Sequence, residues 1–519
     1  MSQWGPDKAP ARFSGMTIDW RHLAIGPRLR DSACASTGER TLSSKSVSAA
    51  LDAFHEKNKS ATAFIGHPWG LAWLSASEFW ERFCFYGMQA LLVLYLTKYL
   101  LQPEHIGQVW GFETYREMLR WLGHQIPWLF GNQTQMVVAS NTAQLYSGLV
   151  YVTPLLGGPL ADRLLGRTRT VTLGSILMVI GTFLLAADQT FLLGLAVLLG
   201  GVGCFKGNIA AQVGDLYSID DKRRADGFQI YFMGIQFAVI ISPIICSTLG
   251  EKVDWHLGFV GAGAGMALGL AVYLAGRRNF PPEQVRKAGP KEKRPPLTGR
   301  EWGAVILLVA LLPVLAFSIV GNQQIFNAYL VWADKNYQLM FFGWTIPTGW
   351  MLSFDAVFSS TTMVGVIAFW RWYKKRWKEP EEITKIAIGT IIAAMAPLTL
   401  AGASLMVATT GHPVTLGWAV AFHVINDIGF ANVLPVGLAL YSRAAPKGMG
   451  GTMIAIYYLH LFFANTVITG PLGGLLGTMP DTQFWLLHVA LMAGAAVVLI
   501  LVRLAFGHLV APREAAAPA

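Results

Sequence analysis

Runs of about twenty or more apolar residues alternate with short polar stretches along this chain. A helix needs a run of that length to cross the hydrocarbon core of a bilayer. The pattern predicts twelve spans, at about 74–100, 140–162, 168–187, 190–214, 225–249, 256–276, 301–333, 349–371, 384–409, 414–442, 450–476 and 482–505. The expected class is therefore an all-α integral membrane protein.

The polar intervals differ in kind. Residues 1–73 are polar, broken by Gly, Pro and Ser, and read as a mostly disordered N-terminal extension with a short amphipathic helix at Ser46–Lys57. The insert at about 102–140 is too polar to span, but "FETYREMLRWLGHQI" sets Tyr115, Leu119 and Leu122 on one face, as an interfacial helix would. Residues 277–300 hold eight basic residues among prolines and read as a linker between six-helix halves at 74–276 and 301–505, followed by a tail at 506–519. Two halves with a site at their interface are the layout of a transporter built from repeats.

Composition agrees with the membrane reading and supplies an orientation. Residues are 53% hydrophobic and 13% charged, against about 25% charged in soluble domains. The net charge of +10 comes from Lys and Arg in short loops such as "ADRLLGRTR", "DDKRRAD" and "RWYKKRWKEPEE", whereas "AADQTF", "TTGHP" and "GTMPDTQ" have none. By the positive-inside rule both termini are cytoplasmic. No basic and aromatic stretch stands outside this pattern, so nucleic acid is not an expected partner. Cys34, Cys84, Cys204 and Cys246 form no CxxC or Cys/His cluster, so neither a structural disulfide nor a metal site is expected. No nucleophile and base pairing suggests an enzyme, and no cofactor is implied beyond a proton as coupling ion.

Ionisable groups inside the spans are costly and tend to face a protein interior or an aqueous cavity. They are few: Glu78, Glu81, Arg82, Lys206, Asp355 and Asp427, with His423 and His460 nearby. Glu78, Glu81 and Arg82 stand at i, i+3 and i+4 on one helical face, which Tyr86 and Gln89 continue. Two acids beside one guanidinium make either a static ion-pair cluster or a site where one acid takes up a proton. Lys206, flanked by glycines, is expected to pair with Glu78 or Glu81 and complete a four-charge network. At the cytoplasmic end of the second span, Asp162, Arg163 and Arg167 are candidates for charge pairs that hold one conformation of a rocking transporter.

Together these residues resemble the proton-dependent oligopeptide transporter family of the major facilitator superfamily. The family's ExxERFxYYG signature is similar to "EFWERFCFYG" (Glu78–Gly87), and the superfamily's second-helix corner to "GGPLADRLLGR" (Gly157–Arg167). The family's GxGxFKPN pattern is similar to "GVGCFKGN" (Gly201–Asn208), and its IGELxxSPVGL to "IGFANVLPVGL" in the tenth span. The resemblance implies a major facilitator fold of twelve helices and proton symport of di- and tripeptides or close mimics across a plasma membrane, here a bacterial inner membrane, by a monomer. It assigns proton coupling to Glu78, Glu81, Arg82 and Lys206. It also marks departures. The arginine that binds a peptide carboxylate is replaced by Gln89, the acid expected in the seventh span by Asn322, and the tenth-span glutamate that receives the amino terminus by Phe430. Asp427, one turn before Phe430, is a shifted acceptor for an amine, and Asp355 stands where the family often has Asn. Tyr86, Gln89, Tyr151, Lys206, Asn322, Gln323, Tyr329, Asp427 and Phe430 are the expected substrate contacts. A same-fold transporter of a non-peptide, such as a carboxylate, modified amino acid or peptide-like natural product, is the alternative; a proton-regulated sensor that keeps the fold without turnover is the remaining one.

Overall fold

The computed structural model describes residues 44–125, 127, 134–218, 220–283, 297–446 and 448–510. The extension up to residue 43, the centre of the basic linker and most of the tail, on which expectations were also placed, lie outside the described residues.

The chain folds into helices joined by short connections. In order they are α1 (Ser44–Lys59), α2 (Trp69–Tyr95), α3 (Pro103–Ile106), α4 (Phe112–Gln125), α5 (Gln135–Val152), α6 (Pro154–Leu160), α7 (Arg167–Leu185), α8 (Phe191–Asp215), α9 (Arg223–Lys252) and α10 (Trp255–Gly276). After the linker come α11 (Gly299–Ser318), α12 (Val320–Gln324), α13 (Ala328–Asn336), α14 (Trp350–Tyr373), α15 (Glu382–Thr410), α16 (Gly417–Arg443), α17 (Gly450–Phe462), α18 (Gly470–Gly474) and α19 (Asp481–Val510). Between α13 and α14, β1 (Met340–Phe341) and β2 (Trp344–Thr345) form an antiparallel hairpin in which Phe341 faces Trp344. Its two turn residues, Phe342 and Gly343, both have positive φ, as the twist of a two-residue hairpin requires.

Local chemistry sets several boundaries. The Thr134 hydroxyl caps α5 by accepting from Val137 N–H, Thr298 and Glu301 form a capping box on α11, and Gly411 in the left-handed region ends α15. Eleven helices among the described residues are long and apolar enough to cross a membrane. The expected second span is not one of them: the helix breaks at Thr153, where Pro154 brings no N–H, and resumes as α6 with a π-helical turn at Ala161–Leu165. The first span begins at Trp69, earlier than expected, and the seventh is three pieces, α11 to α13, rather than one helix. The last break is at Asn327, whose amide donates to Ser140 Oγ at 2.7 Å and to the Thr469 carbonyl at 3.2 Å. Irregular backbone at membrane depth is tolerated where protein satisfies it in this way.

The helices before the linker pack chiefly on one another, as do those after it; the two groups meet through α5 against α17 and α18, and through α9 against α14. The contacts concentrate on the side that the Lys/Arg bias assigns to the exterior. Lys98 Nζ lies 2.5 Å from Asp334 Oδ1, which also accepts from Thr348 Oγ1 at 2.7 Å. Glu251 accepts from the N–H groups of Thr348 and Gly349, both at 2.8 Å, at the start of α14. A Cβ at Gly349 would collide with Ser247, so glycine is needed for α14 to approach α9 this closely.

At the opposite end, α1 is strapped to the bundle by Arg223, whose guanidinium donates to the carbonyls of Asn58, Ala61 and Gly66 while it pairs with Asp221. His67 bonds to Tyr217 Oη at 2.9 Å beside it. Burial, then the positive charge of Arg223, holds the His67 pKa below its ordinary value, and the side-chain bond to Arg223 lowers that of Asp221.

Two outcomes follow from these contacts. A group whose folded pKa is lowered stabilises the fold above its ordinary pKa and loses that contribution as pH falls. The α1 strap is therefore expected to loosen on acidification below the ordinary histidine value of 6.5. Hydrogen exchange of Ser44–Lys59 should rise on that descent and should be fast at every pH in Arg223→Gln. At the exterior, Asp334→Ala removes the acceptor of both Lys98 and Thr348. Since partly exposed pairs contribute about 1 kcal/mol or less, labelling from outside of a cysteine placed at Gln323 should accelerate up to about fivefold.

Candidate functional site

Helix α2 brings three charges into the protein interior. Glu81 is fully buried, and Glu78 and Arg82 are nearly so. The Arg82 guanidinium forks onto Glu81, with Nη2 to Oε1 at 2.7 Å and Nε against Oε2, and Nε also reaches Glu78 Oε1 at 3.2 Å. Planar, bidentate recognition of a carboxylate is what arginine does and lysine cannot. The second Glu78 oxygen, Oε2, is buried without a hydrogen-bond partner, and Tyr231 of α9 lies beside this residue. Two carboxylates thus share one guanidinium, and the uncovered oxygen is the place where a proton would relieve the imbalance.

Lys206 does not join this cluster. Its expected ion pair with Glu78 or Glu81 is absent among the described residues; Nζ sits 4.6 Å from the centre of the Tyr151 ring instead. The reason is geometric. Arg82 already covers both acids from within α2, while α8 presents Lys206 toward α5. The close approach of α6 to α8 depends on Gly157, where a Cβ would strike the Gly203 carbonyl.

A cavity of about 930 Å³ lies between the two groups of helices. Tyr86, Gln89 and Tyr151 line it from one side, and Asn322, Gln323 and Phe430 from the other. It extends along Gln229 and Phe232 of α9 and Met363 and Ile367 of α14, toward the ends assigned to the cytoplasm. The contacts described above close the cavity at the end that the Lys/Arg bias assigns to the exterior. The lining has one carboxylate, Asp355, and no lysine or arginine among the described residues. Gln89 is anchored, donating from Nε2 to Ser147 Oγ at 2.8 Å, and Gln323 donates to Asn322 Oδ1 at 3.2 Å.

Two expected contacts lie elsewhere. Tyr329 is fully buried behind the wall, stacked on Phe422 with its hydroxyl 2.9 Å from His423 Nε2. Asp427 is also buried away from the cavity, with Oδ1 accepting from Asn426 at 3.2 Å. Three residues before Phe430 on a helix means a rotation of about 60° from its face, enough to turn Asp427 into the bundle. The corner residues also behave differently from expectation. Arg167 bonds to Asp215 at the end of α8 and reaches Asp162 at 4.0 Å, whereas Arg163 is exposed; these pairs tie one group of helices together and do not cross to the other.

Several polar residues in the cavity were missed. Gln236 donates to Ser360 Oγ at 2.7 Å across the interface, and Gln229 and Asn465 join the lining. The signal was present: Gln229 and Gln236 are seven residues apart in an apolar helix and therefore share a face.

Comparison with known proteins gives a consistent picture. A family model described as the POT family matches residues 168–293 and 301–472, more than half of the chain. The chain is 27% identical over 481 residues to the uncharacterized transporter YclF of Bacillus subtilis (strain 168), covering 81% of this chain and 91% of the relative. It is 29% identical over 467 residues to a di-/tripeptide transporter of Lactococcus lactis subsp. cremoris, covering 78% and 88% respectively. Among solved structures, peptide transporter POT in complex with sulfate superposes with a TM-score of 0.74 over 88% of this chain and 99% of that one, at 23% identity, a likeness of fold.

Replacing Arg82 with methionine leaves two buried carboxylates without their cation. Removing one partner of a buried pair costs about 3–5 kcal/mol, so the thermal midpoint of purified Arg82→Met should fall by several degrees. Adding Glu81→Gln to that variant should recover part of the loss, as a double-mutant cycle would register.

Proposed function

Because the chain belongs to the POT family, we propose that it is a proton-coupled symporter that imports di- and tripeptides or peptide-like solutes by alternating access. The supporting observation is a cavity shared by the two groups of helices, with a buried acid–acid–guanidinium cluster on α2, the helix that gives the cavity Tyr86 and Gln89. The protein is a multi-pass membrane protein; we assign it to the bacterial inner membrane, acting as a monomer.

In this reading Glu78 and Glu81 alternate between sharing Arg82 and holding a proton. Protonation of one acid frees part of the Arg82 fork and changes the charge that Lys206 and Tyr151 face across the cavity wall. Closure of the exterior by Lys98, Asp334 and Glu251 leaves release toward the cytoplasm as the step this arrangement permits. Asp355, the carboxylate of the lining, receives the substrate amine. Tyr86, Tyr151 and Phe430 supply apolar area, and Gln89, Asn322 and Gln323 supply neutral hydrogen bonds.

The same lining favours a second reading of the cargo. Without a lysine or arginine in the wall to meet a terminal carboxylate, a peptide-like solute lacking a free carboxylate, or carrying it masked, fits the chemistry as well as a zwitterionic peptide.

Uptake of trialanine into proteoliposomes under an inward proton gradient tests the function. Accumulation should collapse with a protonophore and be lost in Glu81→Gln, while counterflow exchange persists in that variant. Wild-type accumulation by Glu81→Gln refutes the coupling assignment. If di- and tripeptides neither accumulate nor compete, while carboxylate-blocked analogues do, the second reading replaces the first.

A further inference from the structure

Away from the α2 cluster, a second set of titratable side chains is buried where α13, α14 and α16 meet. Asp355 and Asp427 flank His423, with one ligand atom from each lying within 4.8 Å of the others. His423 Nδ1 is 3.0 Å from Asp355 Oδ1, and Nε2 is 2.9 Å from the Tyr329 hydroxyl. Asp427 Oδ2 is buried with no hydrogen-bond partner. We propose that Asp355, His423 and Asp427 form a second proton-binding site, which presents its proton to the cavity at Asp355. The inference rests on the reading of the chain as a proton-coupled transporter.

Charge counting makes the case. Two carboxylates this close, one of them in the dry interior, cannot both stay ionised unless a cation joins them. Neither pairs with a lysine or arginine among the described residues; the ion-pair partner is His423, which is charged only when protonated. The cation must therefore be a proton, a metal or the ammonium of a substrate. Both nitrogens of His423 are engaged in hydrogen bonds, so a metal would have to displace Asp355 or Tyr329 from the imidazole to reach its one lone pair. Asp427 does not reach the cavity, so a substrate ammonium cannot neutralise it. A proton can, and the unpartnered Oδ2 is the oxygen whose charge is most costly to leave bare.

Among the described residues, nothing in the surroundings would supply the missing charge. From α13 comes the Tyr329 hydroxyl; α16 itself adds Asn426, and α12 sets Gly321 against it. Phe358 and Phe422 cover the imidazole ring. Tyr86 of α2 faces Asp355 from the opposite wall of the cavity. Glu251 of α9 is held by backbone N–H groups at the start of α14, and His488 of α19 is bonded to Gln324. The charged groups of α15, Glu382 and Lys385, are at its far end against Arg443 and Trp370. Asp355 stands five residues into α14 and His423 six into α16, both counted from the exterior ends. At 1.5 Å per residue they lie on the closed side of the cavity.

The test is pH-difference infrared spectroscopy of the full-length protein in lipid nanodiscs, with aspartate carrying a carbon-13 carboxyl so that Glu78 and Glu81 do not contribute to the isotope-shifted bands. Exposed aspartates ionise near pH 4, so lowering pH from about 10 to about 5 should reveal only buried ones. We expect a protonated aspartate band and an imidazole band to grow together, the aspartate band to be lost in Asp427→Asn, and its midpoint to move in His423→Gln. Both bands should persist in Glu81→Gln. Absence of a labelled carboxyl signal in the unmodified protein, which requires no variant to fold, overturns the proposal, as does a signal unchanged in both Asp427→Asn and Asp355→Asn. So does one zinc ion per chain by elemental analysis that is lost in Asp427→Asn. No substrate is used, so a failure of trialanine transport leaves this result standing, and the titration can fail while transport succeeds.

Discussion

The guanidinium of Arg82, lodged between Glu81 and Glu78, is the interaction on which the rest of the site depends. A charge inside a membrane protein is tolerated only when partners and hydrogen bonds replace the water it has lost. Arg82 meets that condition by forking onto one acid and touching the other, but it cannot fully satisfy two carboxylates at once. The uncovered Oε2 of Glu78 marks the shortfall. A proton on either acid would remove it, and on that ground we propose the cluster for proton coupling.

Lys206 is instructive because it stands outside the balance. Its Nζ is held over the Tyr151 ring, an aromatic face rather than a carboxylate. The tyrosine is a cavity wall, so a ligand packed against Tyr151 would be felt by Lys206 without touching it. In the proposed reading the link between cargo and charge runs through this ring, Asn322 carrying no charge.

The cavity and the closed exterior divide the work between shape and charge. At the break before α13 the Gln324 amide oxygen accepts from Ala328 N–H, while the Asn327 side-chain amide and the Ser140 hydroxyl donate to the carbonyls of Thr469 and Gly470. The cavity wall itself is nearly neutral. Its selectivity must come from area, from a few anchored amides such as Gln89, and from the single carboxylate of Asp355.

Much of this was legible in the sequence, because membrane helices must satisfy their backbone internally and therefore announce themselves as long apolar runs. The i, i+3, i+4 spacing of Glu78, Glu81 and Arg82 placed them together, and the short-range geometry of one helix was enough to do so. Tyr86, Gln89, Asn322 and Phe430 could be assigned to the cavity from their motifs. What the sequence left open depends on how helices rotate and approach one another. Whether Lys206 meets an acid or a ring was decided by the side of α8 that faces α5 and by Arg82, which already covers both acids. Whether Asp427 faces ligand or protein was decided by a rotation of α16 worth three residues. The pairing of Asp355 with His423, sixty-eight positions apart, could be set only by the packing of α14 against α16. Periodicity determines what one helix can hold on a face; only the packed bundle determines what that face meets.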